Sequence, residues 1–216
     1  MADTKDFDQR HYWMQRHELF RDDPRAVGNL GKSVDENVAG EKRVQVWVDG
    51  AARVLQPYAS VLDVGCGYGR AAKAFCDNGY AYVGIDVSPI AIGRARAAEP
   101  RGSFVVGCAL EHELGQGFDL VAALYVFVHF VEDDRWASLI QKLSGALRSG
   151  GGLLFADDFP DERQRHVPHA THRPLAMYES AFRSCGLALD PRFRLDLAAA
   201  LGANARLPPV HLARKF

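Results

Sequence analysis

Long apolar runs are missing from this chain of 216 residues. No stretch approaches the roughly 20 apolar residues that cross a bilayer as a helix, so no membrane partner is expected. Cysteine is sparse. Cys66, Cys76, Cys108 and Cys185 lie far apart with no C-x-x-C pair, which reads as small buried hydrophobes in a reducing compartment and not as a disulfide framework or a zinc knuckle. An excess of one charge is absent as well. With 26 Lys and Arg against 27 Asp and Glu the formal net charge is −1, and bases are interspersed with acids, so there is no electrostatic footprint for nucleic acid. The first residues, Met1-Ala2-Asp3-Thr4-Lys5-Asp6, lack the charged-then-apolar form of a signal peptide, and a cytoplasmic location is expected. Repeats and low-complexity tracts are missing too. What remains, 48% hydrophobic and 25% charged, suffices for one good core. The expectation is a globular domain acting on a small molecule, as a monomer or homodimer.

The chain is organised around Val61-Leu62-Asp63-Val64-Gly65-Cys66-Gly67-Tyr68-Gly69-Arg70. A short apolar run interrupted by one acid reads as a buried parallel strand, and the helix-forming Ala71-Ala72-Lys73-Ala74-Phe75 follows three alternate glycines. Strand, glycine turn and helix together seat a nucleotide-like ligand, because glycine allows close approach and the new helix offers unpaired N–H groups. A dinucleotide site has the spacing G-x-G-x-x-G, and here the third glycine comes one residue early. Asp63 would also repel a pyrophosphate, whereas it suits a ligand carrying an ammonium and a sulfonium. The ligand implied is S-adenosylmethionine (SAM).

At these residues the chain resembles the class I SAM-dependent methyltransferases, whose first motif, D-x-G-x-G-x-G, is matched by Asp63, Gly65, Gly67 and Gly69. Downstream, Ala81-Tyr82-Val83-Gly84-Ile85-Asp86 reads as a second strand, and Asp86 stands about 20 residues past the turn, placed to accept both ribose hydroxyls. Ser88-Pro89 then reads as a helix cap and first-turn proline. Ser103 to Gly107 gives a third strand running into Cys108-Ala109-Leu110-Glu111. The family usually carries an acid for the adenine amino group here; Cys108 departs from that, leaving the backbone of Ala109 or the side chain of Glu111 as substitutes. Phe118 to Leu124 is a fourth strand, buried on both faces, and its end, Tyr125-Val126-Phe127-Val128-His129-Phe130, should line the pocket. The Asn/Asp-Pro-Pro-Tyr/Phe motif of the nucleic-acid and amide branch is absent, so the small-molecule branch is implied.

Several site residues follow as expectations. The cofactor set comprises Asp63, Gly65, Gly67, Gly69 and Arg70 at the amino acid end, Asp86 and Val87 at the ribose, Cys108, Ala109 and Leu110 at the adenine, and Leu124 beneath. His129 is the ionisable side chain of its run and a candidate general base, with a purely structural role as the alternative. Tyr125 could be an aromatic wall for the sulfonium or simply core. The substrate set comprises Tyr12, Trp13 and Arg16 in an aromatic amino-terminal segment, then Asp158, His169, Arg173 and Tyr178 in the insertion after the fifth strand. His17 stands with the first group. Asp157, Asp158, His166, His169 and His172 invite a metal, but proline interrupts the stretch and no metal is expected.

Organisation completes the reading. Residues 1–40 are expected as a helical lid, or a plain extra layer, and 41–216 as the SAM-binding domain. Val44, Trp47, Val48, Ala51 and Leu55 sit at helical spacings within a helix from about Val34 to Leu55. Asp133 or Asp134 should cap a long helix stopped by Ser149-Gly150-Gly151-Gly152, with a fifth strand at Leu153 to Ala156. Pro174 to Cys185 reads as a helix, and Leu187 to Leu195 and Val210 to Ala213 as sixth and seventh strands. The fold class expected is α/β, a Rossmann-like sandwich with a seven-stranded mostly parallel sheet, helices on both faces and the lid. The family resemblance, from about Ser60 to Phe159, implies methyl transfer to O, N or C of a small molecule. Rivals sharing the cofactor are a cyclase or lyase that closes the methionine chain on itself, and a non-catalytic SAM-binding protein.

Overall fold

The computed structural model describes residues 7–21, 23–202 and 209–216. Helix α1 (Gln9–Phe20) and a short 3-10 turn at Pro24–Ala26 precede α2 (Val34–Val54). Then come β1 (Ser60–Val64), α3 (Ala72–Asp77), β2 (Ala81–Asp86), α4 (Pro89–Ala98), β3 (Ser103–Val106) and β4 (Phe118–Leu124). A 3-10 turn at Phe127–His129 leads to α5 (Asp133–Ala146), β5 (Leu147–Ala156), a hairpin of β6 (Gln164–Val167) and β7 (Ala170–His172), and α6 (Leu175–Ser184). β8 (Leu187–Leu189), α7 (Pro191–Leu201) and β9 (Val210–Lys215) close the order.

Seven strands form one sheet in the order β3-β2-β1-β4-β5-β9-β8. The first five are mutually parallel, and β9 runs antiparallel to both β5 and β8. Strand direction of growth reverses between β1 and β4, so the crevice beyond their carboxyl ends is where such a sheet binds ligands. Alternation along β4 feeds two cores. Leu120 and Ala122 pack under α2, α3 and α7, with Val48, Phe75 and Phe193, whereas Val121 and Ala123 pack under α5 and α6, with Leu139 and Phe182. Burial on both faces explains why β4 is apolar without interruption past Asp119. Among the described residues no helix is long and apolar enough to cross a membrane.

α2 opens with a capping box, the Ser33 hydroxyl accepting from Glu36 N–H and the Glu36 carboxylate accepting from Ser33 N–H at 2.8 Å. Val44, Val48, Ala51 and Leu55 are buried as their spacing requires. A division at residue 40 falls inside this helix, so the amino-terminal segment and the sheet share an element.

Three boundaries differ from expectation. α5 is preceded by Glu132, whose side chain makes no cap bond, while Asp133 and Asp134 lie in its first turn, where acids suit the helix dipole. α5 ends at Ala146, before the glycines, which lie within β5 instead. A Cβ on Gly151 would sit 2.9 Å from Arg148 O and 3.0 Å from Asp119 O, so the glycines let the strand close against β4 at its register shift. The expected strand from Leu187 to Leu195 stops at Leu189. There Asp190 accepts from the N–H groups of Arg192 and Phe193, and Pro191 occupies the first turn, starting α7. The insertion after β5 forms the β6–β7 hairpin.

Candidate active site

The glycine turn and the acid opposite it are joined directly. Asp86, at the end of β2, accepts from Gly67 N–H at 3.0 Å through one oxygen and from Ser88 N–H at 2.9 Å through the other. Desolvation raises its pKa, and the N–H groups of Ser88, Gly67 and Val87 oppose the rise. Gly65 has φ +65°, and its N–H and that of Cys66 both donate to Ile85 O, at 2.8 and 3.2 Å. A Cβ there would lie 2.6 Å from Val126 Cγ2. Glycine is therefore needed at 65 twice over, for the left-handed backbone and for the contact.

A cavity of about 1380 Å³ opens beyond these strand ends. Of the expected cofactor residues, Gly65, Gly67, Arg70, Asp86, Val87, Cys108, Ala109 and Leu124 line it. Three do not. The Asp63 carboxylate is buried beneath the turn, accepting from Tyr82 Oη at 2.6 Å, and burial pushes its pKa to about 7. It therefore presents no open face to a ligand ammonium in this conformation. Gly69 serves packing, since a Cβ on it would meet Ala95 Cβ at 3.1 Å. Leu110 packs in the α5 core, and its carbonyl accepts from Lys142 Nζ at 2.6 Å.

On the other side Trp13, Arg16, Tyr125, His129, Asp158 and His169 line the same cavity. Arg16 is committed to structure. Its guanidinium donates to Arg25 O at 3.1 and 2.6 Å, to Gly28 O, and to the Tyr12 hydroxyl at 3.2 Å, which ties α1 to the loop before α2. Tyr12 does not line the cavity; its ring stacks on His169 at 4.6 Å and 16°. Arg173, expected at the pocket mouth, and Tyr178, expected to face either core or pocket, are both fully buried. Tyr178 donates to Asp157 Oδ2 at 2.8 Å, and Arg173 donates to Phe130 O at 3.0 Å and to Asp133 Oδ1 at 2.7 Å, with its guanidinium 4.8 Å from the Trp136 ring. Asp157, with its other oxygen unpartnered, is pushed up to about 8 by burial.

These buried groups hold the corner of the cavity around His129. Arg173 and the Thr171 hydroxyl, which donates to Val131 O at 3.1 Å, pin the β6–β7 hairpin to the segment after β4. The hairpin in turn brings His169 O to 3.0 Å from His129 Nδ1. Because a carbonyl only accepts, Nδ1 carries the proton of the neutral ring and Nε2 holds the lone pair. Burial holds His129 near pKa 4, with the charges of His169, Arg16 and His172 acting in the same direction. Trp13 meets its ring edge-on at 4.6 Å. Tyr125 beside it, at φ +59°, is the single non-glycine residue in the left-handed region among the described residues, and its N–H donates to Ala156 O at 2.7 Å. Held strain of that kind concentrates at functional sites. Burial, with Asp158 next in weight, raises the Tyr125 hydroxyl to about 12, so it stays protonated.

Sequence reasoning missed Arg43 and Trp47 as cavity residues; Val126, in the stretch expected to line the pocket, does so, and so does His172. Arg43 and Trp47 are one helical turn apart on α2, beside the buried face, and that spacing was the available signal. Among the described residues no group of three His, Cys, Asp or Glu side chains could hold a metal ion.

A doubly wound sheet with a glycine turn after β1 and an acid at the end of β2 defines the class I methyltransferase fold. Residues 61–151 match the family model described as a methyltransferase domain. It is 35% identical over 123 residues to an uncharacterized methyltransferase of Synechocystis, covering 56% of this chain and 57% of that one. It is 29% identical over 116 residues to a ubiquinone biosynthesis O-methyltransferase of Pseudomonas fluorescens, covering 51% and 48%. The chain thus spans about half the length of these curated relatives. Among solved structures, magnesium protoporphyrin IX methyltransferase from Synechocystis with bound SAM superposes with TM-score 0.70 at 17% identity, covering all of both chains. A SAM-bound amino pentose methyltransferase from Micromonospora echinaspora gives TM-score 0.65 at 18%, covering 87% of this chain and 99% of that one. Those likenesses show the fold.

Proposed function

We propose that the protein is a SAM-dependent methyltransferase for a small-molecule acceptor. The observation that carries this reading is the Asp86 carboxylate, fixed by Gly67 and Ser88 N–H at the end of β2 and open to the cavity. A carboxylate has about four lone-pair sites, and two N–H bonds leave capacity for a ribose diol. The turn fits as well, since Gly65 and Gly67 take left-handed φ and line the cavity where the methionine end would lie. Cys108 and Ala109, across the cavity mouth from the turn, would flank the adenine, with backbone groups in place of the acid common in the family. SAM, when bound, supplies a methyl group already activated by its sulfonium.

The chain's own residues then orient and deprotonate. Tyr125 presents an aromatic wall with its hydroxyl kept neutral, and Trp13 and His129 form the acceptor side. His129 Nε2, with Nδ1–H engaged by His169 O, is the atom that would take a proton from an attacking hydroxyl or amine. Alignment supplies most of the acceleration for such in-line displacement. Relatives named for ubiquinone O-methylation support a small acceptor.

The test is incubation of the purified protein with SAM, alone and with a pooled metabolite extract, and identification of the nucleoside product by mass spectrometry. S-adenosylhomocysteine (SAH) formed only with extract supports the reading. Methylthioadenosine formed without any acceptor would contradict it and establish SAM as the whole substrate.

A further inference from the structure

His17 is a histidine without a partner at the edge of the site. Among the described residues five buried side-chain atoms lack any hydrogen bond, and two of them are its Nδ1 and Nε2. The residue is 2% exposed, yet it lines the cavity from α1. Rings and already engaged donors flank it, with the Arg94 charge nearby. The Tyr68 ring lies 5.3 Å away and the Trp13 ring 5.7 Å away, centroid to centroid. The Tyr68 hydroxyl already donates to Arg21 O at 3.1 Å, and the Arg16 guanidinium is occupied as described. Burial, then Arg16 and Arg94, lower the pKa of His17 to about 4, so at neutral pH the ring offers one N–H and one lone pair. Buried polar groups of native proteins are almost always bonded, and an exception beside a cavity calls for a ligand atom.

The position of His17 narrows what that atom is. Tyr68, against which it packs, sits between Gly67 and Gly69, and Gly67 N–H donates to Asp86. His17 is therefore neighbour to the part of the cavity that holds the ribose acid, while Trp13, one turn earlier on α1, faces His129. α1 straddles the two ends of the site.

We propose that His17 is a cofactor contact, its N–H donating to a ribose hydroxyl oxygen of the bound nucleoside while Asp86 accepts that hydroxyl's proton. A vicinal diol is the chemical class that satisfies both residues, because each hydroxyl gives one hydrogen bond and accepts others. This inference rests on the reading that the site takes SAM, and it makes α1 a cover for the nucleoside as well as for the acceptor side.

The probe is SAH, titrated calorimetrically beside its 2′-deoxy and 3′-deoxy analogues into wild type, His17→Phe and His17→Asn. Phe keeps the ring packing against Trp13 and Tyr68 and removes both nitrogens. It should weaken SAH binding about tenfold, the worth of one good hydrogen bond. With the analogue lacking the contacted hydroxyl, wild type and His17→Phe should bind equally. Asn keeps an N–H donor and should retain the preference for SAH over that analogue; this arm decides the matter if the Phe variant does not fold by circular dichroism. Unchanged SAH affinity in His17→Phe, or the same loss with SAH and both analogues, overturns the contact. Wild type that binds no SAH at all overturns the SAM reading as well, so the two failures are distinguishable.

Discussion

His129 Nδ1 lies 3.0 Å from the carbonyl oxygen of His169, forty residues on, and this bond sets which nitrogen of His129 can act as a base. The β6–β7 hairpin is thus part of the corner of the cavity around His129 without contributing an acid or base through this contact.

Substituting His129 by Ala should lower kcat with the true acceptor about 10²- to 10⁴-fold while SAM affinity changes little. With the folded-state pKa near 4, the activity of wild type should hold from pH 7 down to about pH 5 and fall below that as Nε2 is protonated. A pH–rate profile with an acid limb at the ordinary histidine value of 6.5, or unchanged turnover in His129→Ala, would contradict the assignment.

Arg173 is a clamp, and its substitution should register as stability before substrate affinity. Arg173→Met takes the buried donor from Phe130 O and leaves Val131 O only the Thr171 hydroxyl, and should cost about 2 kcal/mol in urea unfolding. A variant of wild-type stability whose acceptor KM rises sharply would restore the pocket-mouth role expected from sequence.

Asp157 makes a pH-dependent contribution whose sign follows from its raised pKa. The unfolded group ionises near 3.8, whereas the folded one holds its proton to about 8, so wild type loses stability as pH rises between those values. The melting temperature of Asp157→Asn minus that of wild type should therefore climb steadily from pH 5 to pH 8 and level off above. A flat difference would show that the buried carboxyl is not held protonated.

Gly65→Ala should destabilise the turn and abolish cofactor binding. The left-handed backbone costs a non-glycine residue about 1–2 kcal/mol, and the new methyl meets Val126 Cγ2. Adding Val126→Ala should recover part of the melting temperature, the part due to contact. Full recovery would mean that backbone strain is absent.

Much of the sheet was legible because its signals are local. β1, β2 and β4 are apolar runs, the first ended by glycine and the second by an acid, α2 repeats at 3, 4, 7 and 11, and Asp86 stands where it was read, at the end of β2. The missed features depend on partners distant in sequence. Nothing near Arg173 announces that carbonyls forty residues earlier will bury it, and a polar, histidine-bearing stretch reads as pocket mouth when its wall is unseen. Asp63 looked like a ligand group for the same reason, its partner Tyr82 lying on the neighbouring strand. Asp190-Pro191 was a local signal overlooked: it starts α7 as Ser88-Pro89 starts α4.

The most direct measurement of the central claim is the affinity of SAM for wild type and for Asp86→Ala by titration calorimetry. The account predicts saturable one-site binding to wild type and a loss of at least about a hundredfold in the variant, since two hydrogen bonds to a charged group disappear. Equal affinity in both, in a variant that melts as a folded protein, would contradict it and place the nucleoside elsewhere.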